Sequence, residues 1–196
     1  GARSMALGDK GTLFVSTMRE GKVYAVSGID SEPEVLTIAS DLYMPNGVAF
    51  KDGNLYVAEI HRVHKFENIE DRLSAPKSKI INKSYPTDRH HGWRYIAFGP
   101  DGKLYIPIGV PCNICDEPDY GVITRIDTDG LNKEVIAHGI RNTVGITFHP
   151  QTDELWFTDN NKDMMGDDIP PGELNRLSRE GEHFGFPFCH ATDIPD

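Results

Sequence analysis

Long apolar runs are missing from this sequence, and so is any excess of positive charge. No stretch approaches the roughly 20 apolar residues of a membrane-spanning helix. The opening "GARSMALG" has neither the charged n-region nor the apolar h-region of a secretory leader. Twenty Lys and Arg stand against thirty Asp and Glu, a formal net charge of −10. That balance repels phosphate backbones and anionic lipid, which argues against nucleic acid and membrane surfaces and favours a neutral or cationic ligand or a bound metal. Cysteine is scarce. Cys112, Cys115 and Cys189 are an odd number, and spacing alone does not choose between a disulfide, a metal site and free thiols. Amphipathic helical periodicity is also absent, as are the WD and kelch signatures.

What is present is a repeat. "MALGDKGTLFVST", "GVAFKDGNLYVAE", "IAFGPDGKLYIPIG" and "ITFHPQTDELWFTDN" share one plan: a short apolar strand, a turn rich in Gly, Asp or Pro, and a second alternating strand. Leu13, Leu55, Leu104 and Leu155 mark the repeats at separations of 42, 49 and 51 residues. A period of about 40 to 50 residues with several short strands per repeat predicts an all-β fold, a β-propeller. The expected blades are 3–42, 43–86, 87–139 and 140–196, in one partial propeller domain. The last repeat shows no clear fourth strand, so the expectation is about four blades of a larger propeller rather than a complete four-bladed one.

Three stretches carry chemistry. In "DRHHGWRYIAFGPDGKLYIPIG" two histidines, His90 and His91, precede the first strand of a blade. Neutral imidazole near pH 7 accepts a hydroxyl proton, so a channel-facing His is a candidate general base; the other reading is a pair of loop residues satisfied by water or backbone. In "HGIRNTVGITFHP" Arg141 and Asn142 hold the same place in the next blade. A guanidinium there either clamps a carboxylate or quinone oxygen or bonds to neighbouring carbonyls. "TDNNKDMMGDDIPPGELN" gathers Asp159, Asp163, Asp167, Asp168 and Glu173 with the amide oxygens of Asn160 and Asn161. Such hard oxygen donors suit Ca²⁺, and an acidic solvated loop has the same composition. "PCNIC" reads as a loop staple, with a Cys₃His zinc site completed by Cys189 and His190 as the alternative.

In this order, "HHGWRYIAFGPDGKLYIPIG", "CNIC", "GIRNTVGITFHP", "LWFTDN", "DDIPPGELN" and "HFGFP" resemble the soluble glucose/sorbosone dehydrogenase family. Its members are quinoprotein sugar dehydrogenases on six-bladed propellers that use pyrroloquinoline quinone (PQQ) and Ca²⁺. The resemblance implies that His91, eight residues before the Gly of "GPDG", is the general base for a sugar C1 hydroxyl. It implies that Arg141 and Asn142 contact the cofactor and that Asn160 and Asn161 lie in the loop whose carbonyls hold Ca²⁺. Val144 departs from it, since some members carry Gln there. The implied partners are a small sugar and an external electron acceptor, and the implied location is periplasmic or secreted. Two rival readings stand beside this one. A non-catalytic ligand-binding propeller is the first. A Ca²⁺-dependent propeller lactonase or hydrolase is the second; it would use Asn46 and Asn142 at first-strand ends, whereas His91 and Arg141 favour the quinone enzyme.

Overall fold

The computed structural model describes residues 1–192 and 194–195. Among them the chain is all-β, a β-propeller fold, with a single turn of 3-10 helix at Ile69–Asp71. It is organised as two compact units, Gly1–Tyr85 and Pro86–Asp196.

In the first unit β1 (Ala2–Leu7), β2 (Leu13–Thr17), β3 (Val23–Ser27) and β4 (Glu34–Ala39) pair in sequence order as one antiparallel sheet. β5 (Gly47–Lys51), β6 (Asn54–Ala58), β7 (Val63–Phe66) and β8 (Ser78–Asn82) form a second. Each is a meander with nearest-neighbour pairing, which is the plan of a propeller blade. Local chemistry explains the turns. Lys51 pairs with Asn54 across Asp52 (φ 50°) and Gly53 (φ 75°), the two positive φ angles that a two-residue hairpin turn requires. Inner strands are buried and outer strands open: β6 is covered almost throughout, while β4 and β8 are largely exposed. Phe14, Val23, Leu55, Val57 and Ile69 make the core between the two sheets. Burying each of these side chains contributes roughly 1.5–3 kcal/mol before the entropy of ordering is counted. One carboxylate is also buried here. Glu59 accepts the Arg62 guanidinium and the Tyr43 N–H at 3.2 Å. Burial alone pushes its carboxyl up; the His64 ring 3.4 Å away and hydrogen bonds from Arg62 and Tyr43 outweigh that and bring it down to about 2.

The second unit repeats the plan with β9 (Ala97–Phe98), β10 (Leu104–Ile108), β11 (Val122–Ile126) and β12 (Glu134–His138), then with β13 (Ile146–Phe148), β14 (Leu155–Asp159) and β15 (Glu173–Arg176). Ile123, Ala137, Ile140 and Phe157 are at the centre of its core. The third strand meets the fourth with a register shift in three sheets, at Val23/Tyr24, Val63/His64 and Ile123/Thr124. Such bulges increase local twist, and their recurrence is structural support for the repeat. Residues after β15 do not extend the three-stranded sheet. Instead β16 (Glu182–His183) runs parallel to β12, with Ala137 opposite Glu182 and His138 opposite His183, and covers that strand's free edge. A short hairpin of β17 (Cys189–His190) and β18 (Ile194–Pro195) follows.

The two equivalent connections of the second unit differ from those of the first. Between β10 and β11 the chain takes the 13 residues 109–121, and between β14 and β15 the 13 residues 160–172, whereas β2 to β3 and β6 to β7 need only 18–22 and 59–62. A loop of this length in a repeat built on short turns marks added function.

Candidate functional site

The end of β10 organises the site in the second unit. Just beyond it, the Val110 carbonyl accepts His91 Nδ1 at 2.9 Å, and the Val110 N–H donates to the Arg141 carbonyl at 2.9 Å. His91 and Arg141, 50 residues apart in sequence, are thus tied to the two sides of one residue. A carbonyl only accepts, so the proton of the neutral imidazole lies on Nδ1 and the lone pair is on Nε2. Burial lowers the His91 pKa to about 4, with help from the neighbouring charges of His90 and Arg141. Only about one molecule in a thousand then carries the imidazolium at pH 7. His91 also sits at φ 48°, an uncommon conformation for a residue with a side chain. His90 is exposed and lies ring to ring with it at 3.9 Å.

Gly109 makes room for this arrangement. A Cβ there would lie 2.7 Å from His91 Cβ and 3.0 Å from Asn142 Oδ1. Only a residue with no side chain lets β10 end so close to both. Its sequence signal, a Gly directly after the strand "LYIPI", is too common to single it out.

Arg141 and Asn142 are held from below by Asp159, the last residue of β14. Asp159 Oδ2 accepts the Arg141 N–H at 2.9 Å and Oδ1 accepts the Asn142 N–H at 2.6 Å. Burial pushes the Asp159 carboxyl up to about 7, against the lowering effect of the two backbone donors. Sequence reading placed Asp159 among loop carboxylates for a metal; in the fold it is a buried strand-end acceptor that shapes the preceding turn.

The Arg141 guanidinium is itself buried, at 2 % exposure. Nε donates to the Asn113 carbonyl (2.9 Å), Nη1 to the Asn160 carbonyl (2.9 Å), and Nη2 to Asn113 Oδ1 (2.8 Å) and Asp163 Oδ2 (2.9 Å). Four of five N–H donors therefore meet protein oxygens, and one on Nη1 has no acceptor among the described residues. Asn113 belongs to the "PCNIC" segment, where Cys112 and Cys115 form a disulfide and Cys189 is free. The disulfide consumes the thiolates that a Cys₃His zinc site would need.

The 160–163 loop completes the site. The Asn160 N–H donates to the Asn142 carbonyl at 3.1 Å, and Asn161 Nδ2 donates to Pro171 O (2.7 Å) and Glu173 Oε1 (2.9 Å). The Asn160 carbonyl already accepts Arg141 Nη1, so the oxygen donors left are its second lone pair, the Asn161 carbonyl and the two side-chain oxygens. Asp167 and Asp168 are exposed, and no group of three or more His, Cys, Asp or Glu among the described residues gathers at metal-binding distance. Asn46 lies in the first unit, where it accepts from Arg3 Nε at 3.3 Å. Val144 is 41 % exposed.

The second unit thus presents a neutral imidazole with a free Nε2, a buried guanidinium with one spare N–H, an asparagine beside the imidazole, and a loop of carbonyl and amide oxygens. Chemically, such a set of groups can hydrogen-bond a polar small molecule and accept a proton from it.

The family profile of the glucose/sorbosone dehydrogenases matches residues 51–194, and the chain belongs to that family. An uncharacterized protein of Borreliella burgdorferi is 30 % identical over 199 residues, covering 91 % of this chain and 52 % of that protein. Among solved structures, the calcium structure of a family AA12 carbohydrate-active enzyme from Trichoderma reesei superposes with a TM-score of 0.81 at 20 % identity, over 100 % of this chain and 58 % of that one. The PQQ-bound aldose sugar dehydrogenase of Streptomyces coelicolor superposes with a TM-score of 0.76 at 18 % identity, over 100 % of this chain and 66 % of that one. The chain therefore spans about half the length of the curated relative it matches and under two-thirds of the first of these structures.

Proposed function

We propose that this chain carries part of the active site of a quinoprotein sugar dehydrogenase that oxidises the C1 hydroxyl of an aldose or a related aldehyde hydrate. The observation that carries the reading is the hydrogen bond from His91 Nδ1 to Val110 O, which commits one ring nitrogen and leaves the other as a proton acceptor beside Asn142 and Arg141. When bound, PQQ supplies the two-electron hydride acceptor, and Ca²⁺ supplies the Lewis acid that polarises it.

The residues present fit that pair of groups. The remaining Nη1 proton of Arg141 and the amide of Asn142 are donors of the kind that hold quinone oxygens, and the oxygens of Asn160 and Asn161 are hard donors suited to Ca²⁺. His91 Nε2 takes the hydroxyl proton as hydride leaves C1, so the sugar loses two electrons and two hydrogens. Neutral at pH 7, the imidazole is ready to accept; its low pKa makes it a weak base in the free protein.

The same reading assigns a sugar as substrate, an external electron acceptor as oxidant, a role in carbohydrate metabolism, and a periplasmic or secreted location. No helix among the described residues is long and apolar enough to cross a membrane.

Titration of the full-length protein with PQQ, with and without Ca²⁺, followed by dye reduction with a panel of aldoses, tests the reading. Ca²⁺-dependent binding and aldose-dependent dye reduction are expected; absence of both in the folded full-length protein contradicts it.

A further inference from the structure

We propose that Asn113 is a positioning residue that fixes the Arg141 guanidinium and the 160–163 loop against each other, and that the Cys112–Cys115 disulfide holds it in place for that task. Asn113 is half-buried in the 13-residue connection between β10 and β11. Its backbone carbonyl accepts Arg141 Nε at 2.9 Å. Its Oδ1 accepts two donors, Arg141 Nη2 at 2.8 Å and the Asp163 N–H at 2.8 Å, and its Nδ2 donates to the Asp163 carbonyl at 3.1 Å. One residue thus bridges the guanidinium to both backbone groups of Asp163.

The side chain suits this work for a chemical reason. A planar amide offers two lone pairs and two donors on one short stem, so it accepts from a cation and a backbone N–H while donating to a backbone carbonyl. A hydroxyl lacks the reach, and a carboxylate would set an acceptor against the Asp163 carbonyl. The demand for order is high. Arg141 is buried, and a buried guanidinium whose partners drift is left as an uncompensated charge. A long exposed loop does not normally hold a side chain in one place. Closing the loop between Cys112 and Cys115 removes backbone freedom on both sides of Asn113 and Ile114, which is what a fixed partner for Arg141 needs.

The consequence runs through the loop to Asn160, whose carbonyl accepts Arg141 Nη1 at 2.9 Å. Its relevance to Ca²⁺ rests on the function proposed above; the hold on Arg141 does not.

Asn113→Ala, Asn113→Gln and Asn113→Asp in the full-length protein separate the possibilities. Rotation of the Arg141 guanidinium about Nε–Cζ is followed by NMR, and binding of Ca²⁺ alone by calorimetry, with backbone amides of β5–β8 as the report on folding. Asn113→Ala and Asn113→Gln, the second of which keeps an amide but displaces it, are expected to speed the rotation about tenfold and to weaken Ca²⁺ binding about tenfold, the effect of one lost charge-assisted hydrogen bond. Asn113→Asp keeps the acceptor for Nη2 and is expected to hold the rotation within about threefold of wild type. Unchanged rotation in folded Asn113→Ala or Asn113→Gln overturns the proposal, and so does unchanged Ca²⁺ affinity in those variants when the wild type binds the ion. Where the wild type binds no Ca²⁺ by itself, the rotation alone decides the role of Asn113, and the PQQ titration above decides the dehydrogenase reading.

Discussion

Asp159 holds Asn142 by the backbone: its Oδ1 accepts the Asn142 N–H at 2.6 Å, while Oδ2 takes that of Arg141 at 2.9 Å. One carboxylate at the end of β14 therefore sets the conformation of the turn that presents two candidate ligand-binding residues. In Asp159→Asn an amide donor replaces one of the two acceptors and faces a buried N–H. The expected cost is about 1–3 kcal/mol, the penalty for an unsatisfied buried group. A urea titration checks it: the midpoint falls while the slope is unchanged, because no surface is newly exposed in the native state. An unchanged midpoint would show that the turn does not depend on the pair.

Gly109 offers a second test. In Gly109→Ala the new Cβ would lie 2.7 Å from His91 Cβ and 3.0 Å from Asn142 Oδ1. Both neighbours must move, at a cost of about 1–3 kcal/mol for overpacking. The fold survives and the geometry of His91 does not, so sugar oxidation is expected to fall about 10- to 100-fold, largely in kcat. Steady-state kinetics on the loaded full-length enzyme, with a thermal melt as control, measure it.

The His91 tautomer and its pH dependence are accessible without cofactor. Nitrogen NMR of the free protein is expected to show Nδ1 protonated and Nε2 bare at pH 7, with Nε2 titrating at about 4 rather than at the ordinary value of 6.5. The sign of the linked stability follows. Between these two values the unfolded chain binds more protons than the native one, so the contribution is present in full above 6.5 and is lost as pH falls through about 4. Titration near 6.5 would mean that the ring is not buried against Val110.

Much of the fold was legible because each repeat carries its own local instructions. "KDGN" dictates its hairpin through Asp52 and Gly53, and the recurring Leu positions fall on inner strands or their starts. His91 and Arg141 stood out as chemically capable residues beside such strands. The rest depends on contacts that leave no local pattern. Asn113 lies between two cysteines that read only as a staple, and its partners are 28 and 50 residues away. Asp159 looked like one more acid in an acidic stretch, because the backbone amides it accepts belong to a turn on another strand. β16 is two residues long and pairs with β12 in parallel, which no periodicity announces.

The central claim is that His91 removes the sugar hydroxyl proton, and the most direct measurement compares wild type with His91→Ala in the full-length protein loaded with PQQ and Ca²⁺. The account predicts that kcat for aldose-dependent dye reduction falls about a hundred- to ten-thousandfold while the loaded protein still binds PQQ. Turnover in His91→Ala within about twofold of wild type, at equal cofactor occupancy, would contradict it, because loss of a working general base has a far larger effect.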